Sequence, residues 1–314
     1  MKQNLTLIVV ASLLLFGVCI FFFYSNGKKG KVTVIHTVSY SNAVVFNAIE
    51  HNPDRIVRNF TPNPTQHVEA LIGESRRGPV VSVTPFSNAI IAANSNPSLR
   101  IIGGAGLNGI SLVAREATTP EELRGKKIGT ARGDSLEIFA VEYMQANGVD
   151  VNEYEFRYFT DPFEMVEALK RGSIDAAAHV EPFVTNLVEE NNMVRLITSR
   201  ELWGDHPDAV LLTTEHVLKE YFEEMKWLLT ELKNSEKAIL SAPEATASRL
   251  AETFYQMPPE NLLRILEHQG PKIDIRQYDH FFADRFETMR ALTYVSGTFR
   301  KEYFDYTLLD LLYD

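Results

Sequence analysis

Residues 111–184 read SLVAREATTPEELRGKKIGTARGDSLEIFAVEYMQANGVDVNEYEFRYFTDPFEMVEALKRGSIDAAAHVEPFV, and their punctuation decides the fold. Thr119-Pro120-Glu121-Glu122 combines a side-chain cap, a proline at the first helical position and an acid at the third, which predicts a short helix that Gly125 ends. Lys126 to Thr130 predicts a strand. Arg132-Gly133-Asp134-Ser135 then turns into a helix running to about Asn147, where Gly148 stops it. Glu155 to Phe159 is the next strand, Asp161-Pro162-Phe163-Glu164 opens another capped helix, and Gly172 closes it before a strand over Ile174 to Ala178. Strands alternating with helices in this way predict a parallel sheet covered on both faces, complete enough to form a lobe of its own.

Outward from this stretch, the chain repeats the alternation on its amino-terminal side and abandons it on the other. Lys31 to Thr37 predicts a first strand and Ala43 to Glu50 a helix; after a Pro/Asn-rich loop, a helix covers about Gln66 to Gly73. A strand over Pro79 to Val83, a helix over Phe86 to Asn94 and a strand over Leu99 to Gly103 complete that half. Ala209 to Thr213 is a single further strand, and the remainder to Asp314 is nearly all helix, its aromatics at core spacing and packed against the first lobe. The expected organisation is therefore an α/β chain of two lobes: residues 31–112 with 213–314 as lobe 1, and 113–212 as lobe 2. The hinge is expected near Asn108 to Arg115 and Asp208 to Thr213.

Residues 1–30 differ in composition from everything that follows. Leu5 to Tyr24 is apolar over a length that spans a bilayer as a helix, and no good cleavage site follows it, so an uncleaved membrane anchor with a Gly/Lys linker is expected. Cys19, the one cysteine, is either a small apolar residue of that helix or a lipid attachment point, with poor flanks for the latter. Beyond it the chain has no disulfide and must rely on its core. A net charge of −10 disfavours a nucleic-acid partner, which calls for basic stripes.

The segments SLVAR, TPEELRGKKIGTARGDS and FEMVEALKRGSIDAAAHVEPF closely resemble the substrate-binding proteins of nitrate, sulfonate, taurine and thiamine-precursor importers. The resemblance is strong over Ser111 to Val184 and weaker before it. It implies a two-lobed type II periplasmic-binding-protein fold on the extracytoplasmic face of the membrane. A small-molecule ligand is held in the cleft and sealed by hinge closure, and the monomer delivers it to permease and ATPase subunits of an ATP-binding-cassette importer. It implies no cofactor and no catalysis. Enzymes that make the thiamine pyrimidine share the fold, but they carry a cysteine-rich iron site that this chain lacks, and no Gly-x-Ser-x-Gly elbow, phosphate loop or zinc-like histidine pair occurs. A tethered receptor without a transporter is the other reading that keeps the fold.

Matched onto this sequence, the cleft is expected to draw on the first loop, the Thr84 turn, the hinge, the Gly133 turn and the Glu181-Pro182 turn. Tyr40 and Asn42 in the loop Ser39-Tyr40-Ser41-Asn42 offer an aromatic face and hydrogen-bond groups, or simply form a turn. Thr84 and Phe86 repeat that mixture, with Phe86 a stacking candidate and Ser87 at a helix start; Asn108 can reach the cleft from the hinge. Asp134 and Ser135 sit at a helix amino terminus, an anion site in relatives; Asp134 places its own carboxylate there, as a cap or as a ligand contact, which shifts expectation towards a neutral or cationic ligand. His179 either faces the cleft or is a satisfied structural residue, and Glu181 either accepts from a ligand or serves the crossover. Val180 stands where many relatives carry tryptophan. Trp203 is a core, rim or stacking residue. Heterocyclic amines such as thiamine precursors are the first expected ligands, and small anions such as sulfonates or nitrate the second.

Overall fold

In the computed structural model, residues 30–37, 39–116 and 118–314 are described; the expected anchor and Cys19 lie outside them. The β-branched runs form ten strands: β1 (Val32–His36), β2 (Ile56–Phe60), β3 (Val80–Pro85), β4 (Leu99–Leu107), β5 (Ile110–Ala114), β6 (Lys127–Thr130), β7 (Glu155–Tyr158), β8 (Ala176–Val180), β9 (Val194–Thr198) and β10 (Pro207–Thr214). They divide into two five-stranded sheets, ordered β2-β1-β3-β10-β4 and β7-β6-β8-β5-β9. This is the α/β, two-sheet architecture of periplasmic binding proteins.

Within each sheet the strands joined through helices run parallel, and the strands that arrive from the other sheet run antiparallel. β1 pairs parallel with β2 and β3, while β10 inserts antiparallel between β3 and β4. β6 pairs parallel with β7 and β8, while β5 lies antiparallel between β8 and β9. Burial follows the order: β10 and β5 are buried along their length, as strands covered on both faces must be, whereas the edge strands β2 and β7 are largely exposed.

The lobe boundaries differ from those expected. Ile110–Ala114 belongs to the second sheet and all of Pro207–Thr214 to the first, so the chain crosses at Asn108–Gly109 and again over residues 199–206. The span 113–212 thus took in most of a first-sheet strand, because Ala209 to Thr213 has the same apolar composition whichever sheet receives it. Three further differences have local causes. β2 carries Arg58 and Asn59, the polar residues of an edge strand, and reads as loop. β8 starts two residues late because Ser173 and Ile174 still belong to the turn after helix Pro162–Lys170. β4 runs on through Gly103, Gly104 and Gly106, which look like breakers but are contact points: a Cβ on Gly104 would lie 2.5 Å from the Lys272 carbonyl oxygen, and one on Gly106 3.0 Å from Ser41 Cα.

Two apolar cores result. The larger joins the first sheet to the carboxy-terminal helices through Phe282, Phe286, Met289 and Leu309; the smaller fills the second lobe around Phe139, Met144 and Leu169. Trp203, on the return crossing, packs against both. The carboxy-terminal segment also reaches the second lobe: Tyr294 and Thr288 donate to Glu137 and Glu142 on helix Ser135–Ala146, at 2.8 and 2.5 Å, and Arg285 pairs with Glu142 at 2.8 Å. The expectation of packing on the first lobe alone missed this clasp.

Candidate ligand-binding cleft

The carboxyl ends of β1, β3, β6 and β8 point towards the gap between the sheets, and their loops enclose a cavity of about 260 Å³. That is a little below the ~300–1,000 Å³ of pockets for drug-sized molecules, room for one ring rather than for a flavin. The first lobe supplies Thr37, Ser39, Ser41 and Asn42, the loop 62–65, the end of β3 and the start of β10; the second supplies Ala131, Arg132, Asp134 and Leu136, the segment from Tyr158 to Met165 and the end of β8.

The first-lobe wall is polar and buried. Asn42 is 1 % exposed and Thr84 0 % exposed. Asn42 Nδ2 donates to the Thr37 carbonyl at 2.7 Å, which fixes the orientation of the amide and leaves Oδ1 without a partner. Thr84 Oγ1 is likewise buried without a partner. Ser39 and Ser41 share a hydrogen bond of 2.5 Å, held against β4 by the close approach at Gly106. Asp208, at the start of β10 beside the β3 terminus, is 5 % exposed and hydrogen-bonded by Ser41; burial, with Asp134 adding repulsion, pushes its carboxyl up to about 7. Sequence reading placed Asp208 in a hinge; the signal that could have found it is an acid immediately preceding a fully apolar strand.

On the second-lobe wall Asp134 is 4 % exposed and caps its helix, accepting from Leu136 N at 3.1 Å. Burial raises its carboxyl to about 7 against that hydrogen bond, with neighbouring Glu137 adding to the rise. His179 offers a ring face and nothing more: Nδ1 accepts from Val180 N at 2.9 Å, so Nε2 carries the proton and faces the Pro162 carbonyl at 3.1 Å. Burial lowers it to about 4, so the ring is neutral, tilted against Phe183 with centroids 4.6 Å apart. Arg132 is exposed at the rim, its guanidinium 3.9 Å from the centre of the Tyr158 ring.

A model of the NMT1-like family matches residues 83–254, more than half of the chain. The chain belongs to the NMT1-like family. Solved structures share its fold at low identity. The alkanesulfonate-binding protein SsuA from Xanthomonas axonopodis pv. citri, bound to MOPS, is 16 % identical with a TM-score of 0.72, over 86 % of this chain and 96 % of that one. A ligand-binding component of an ABC-type import system from Staphylococcus aureus, with zinc bound, is 12 % identical with a TM-score of 0.77, over 90 % and 98 %. The periplasmic nitrate-binding protein NrtA from Synechocystis PCC 6803 is 14 % identical with a TM-score of 0.64, over 76 % and 70 %. No curated protein matches.

Of the residues singled out in the sequence of this NMT1-like chain, Asn42, Thr84, Asp134 and His179 line the cavity, and Phe86, Asn108, Ser135 and Glu181 are placed elsewhere. Phe86 is fully buried in an aromatic cluster with Trp203, Phe281 and Phe282. Asn108 spends its amide on the crossing, donating to Asp205 at 3.1 Å and accepting from His206 N at 3.3 Å. Ser135 meets Ser87 across the lobes, Oγ to Oγ at 3.2 Å, so the two facing helix starts satisfy each other. Glu181 is buried, accepts from Thr185 N at 2.9 Å and pairs with Arg195 at 2.9 Å, the crossover role. The Tyr40 side chain lies outside the described residues. Among the described residues, no group of three or more His, Cys, Asp or Glu side chains is placed to hold a metal ion.

The two raised carboxyls predict a pH dependence of known sign. A folded pKa of about 7 against an ordinary 3.8 means that Asp208 favours folding below about pH 4, and that this contribution is lost as pH rises to about 7. The buried histidines His36, His179 and His206, each lowered to about 4, pull the other way between about pH 6.5 and 4. The Asp208 part is therefore isolated by difference. Between pH 5 and pH 8 the stability of Asp208→Asn is expected to gain on the parent by on the order of 2 kcal/mol in urea denaturation; a constant difference would remove the carboxyl from this role.

Proposed function

We propose that this chain is the extracytoplasmic solute-binding protein of an ATP-binding-cassette importer, tethered by its amino-terminal segment, which captures a small molecule by closing its two lobes and presents it to the permease. It performs no chemistry. Membership of the NMT1-like family and the fold shared with binding components of importers support the general role. A cavity lined from both sheets supports capture by closure, since a ligand held by both lobes favours the closed form over the open one.

The ligand we propose is a single-ring heterocyclic amine such as a thiamine precursor, contacted by Asn42, Thr84, Asp134 and the face of His179. One observation carries this choice: at the helix start that would receive an anion, Asp134 caps Leu136 N, Glu137 takes Gly133 N at 2.7 Å and Ser87 meets Ser135. A small anion such as a sulfonate or nitrate is the second reading, favoured by Arg132 at the rim.

A thermal-shift screen of the purified protein against aminopyrimidines, thiamine, taurine, alkanesulfonates and nitrate tests both. A ligand of the native form at a hundred times its dissociation constant adds about 2.7 kcal/mol, a visible rise in melting temperature. Stabilisation by the amines is expected; stabilisation by sulfonate or nitrate alone would move the chain to the second reading, and silence throughout would overturn capture of these classes.

A further inference from the structure

We propose that Asp208 of the first lobe and Asp134 of the second form a two-sided subsite for a monocation rich in N–H donors, an amidinium or a protonated amino-heterocycle, held between the two walls of the cleft. The inference deepens the solute-capture reading and rests on it.

Four features converge. First, both carboxyls line the same cavity from opposite sheets, and among the described residues neither stands in an ion pair with Lys, Arg or His. Two acids buried without a cation are costly as a charged pair, and a ligand that brings the cation removes the cost. Second, Asn42 Oδ1 and Thr84 Oγ1, on residues 1 % and 0 % exposed, line that cavity with no hydrogen-bond partner among the described residues. Buried polar atoms left unsatisfied call for a bound group, and the fixed orientation of the Asn42 amide makes its unpartnered atom an acceptor, hence a place for an N–H.

Third, Ser39 and Ser41 form a buried hydroxyl pair 2.5 Å apart on the same wall, in which either oxygen can be the donor, so the pair offers further lone pairs to an N–H of the ligand. Fourth, the other charged and titratable groups around the site leave its sign unchanged. Arg132 lies over the Tyr158 ring at the rim, His179 is held neutral by two backbone partners, and the Glu137 carboxylate behind Asp134 is engaged by Gly133, Tyr158 and Tyr294. Because the two acids come from different lobes, a cation between them interacts with both only when the lobes are together, which ties charge recognition to closure.

Isothermal titration of the full chain with benzamidinium, 4-aminopyrimidine, neutral benzamide and benzenesulfonate tests this. Benzamidinium and 4-aminopyrimidine are expected to bind, with benzamide at least tenfold weaker and benzenesulfonate silent. Asp208→Asn and Asp134→Asn are each expected to weaken the cations at least tenfold; asparagine keeps the helix cap, so Asp134→Asn tests charge rather than folding. Melting curves of both variants confirm the folded state. Asp208→Glu, which restores the charge, is expected to recover part of the lost affinity. Affinity for the cations unchanged within twofold in both asparagine variants overturns the subsite, as does silence from both cations. A benzenesulfonate hit with silent cations overturns the subsite and leaves solute capture standing, whereas failure of the wider screen above bears on capture itself.

Discussion

Phe86→Ala is expected to lower the stability of the protein by about 3–5 kcal/mol, the cost of truncating a fully buried phenylalanine whose site cannot collapse. The ring is completely buried and sits edge-on to Phe281, 5.0 Å away, and to Trp203, 6.2 Å away. Trp203 is itself fixed: its Nε1 donates to Glu142 at 2.8 Å, and its ring meets Phe139 of the second core at 5.5 Å. Removing Phe86 thus opens a void beside Trp203, which packs on both cores, with rigid neighbours that cannot fill it. The midpoint of urea unfolding measures the loss. A cost under about 1 kcal/mol would show that the cluster repacks, and would return Phe86 to consideration as a cleft residue.

Glu137→Ala is expected to cost about 2–4 kcal/mol and to loosen the lobes, since hydrogen bonds to a charged group are each worth ~1.5–3 kcal/mol and do not sum fully. Glu137 is buried and accepts from Gly133 N at 2.7 Å, Tyr158 OH at 2.7 Å and Tyr294 OH at 2.8 Å. Tyr294 follows the helix Asp279–Ala291 that packs on the first lobe, so this carboxylate, with Glu142, holds the carboxy-terminal segment to helix Ser135–Ala146 of the second. Small-angle scattering is expected to show a larger radius of gyration for the variant than for the parent. Tyr294→Phe, which removes a single donor, is expected to lose about 1–2 kcal/mol. Equal stability of Glu137→Ala and the parent would mean that the clasp contributes nothing.

What could be read without coordinates was local. The turn Gly133-Asp134-Ser135 announces a capped helix because the Asp134 side chain and the Leu136 amide are two residues apart, and a cap is decided within one turn. Asp161, Pro162 and Gly172 bracket the next helix for the same reason. These signals yielded the strand–helix alternation of both lobes and placed Asn42, Thr84, Asp134 and His179 at loop positions that do line the cavity. Phe86, Asn108, Ser135 and Glu181, which do not line the cavity, occupy equally plausible loop or helix-start positions. What separates them from the lining residues is a distant partner: Trp203 for Phe86, His206 for Asn108, Ser87 for Ser135, Arg195 for Glu181.

The sequence by itself determined most of the helices and strands, their alternation and the family, since caps, glycine stops and apolar periodicity act over a few residues and leave a mark where they act. The tertiary structure alone decided that β10 enters the first sheet antiparallel between β3 and β4, which brings Asp208 to the cleft mouth where Asp134 arrives from the other lobe. The same apolar strand would satisfy either sheet, and only the closure of two cores around Trp203 makes one choice lower in free energy than the other.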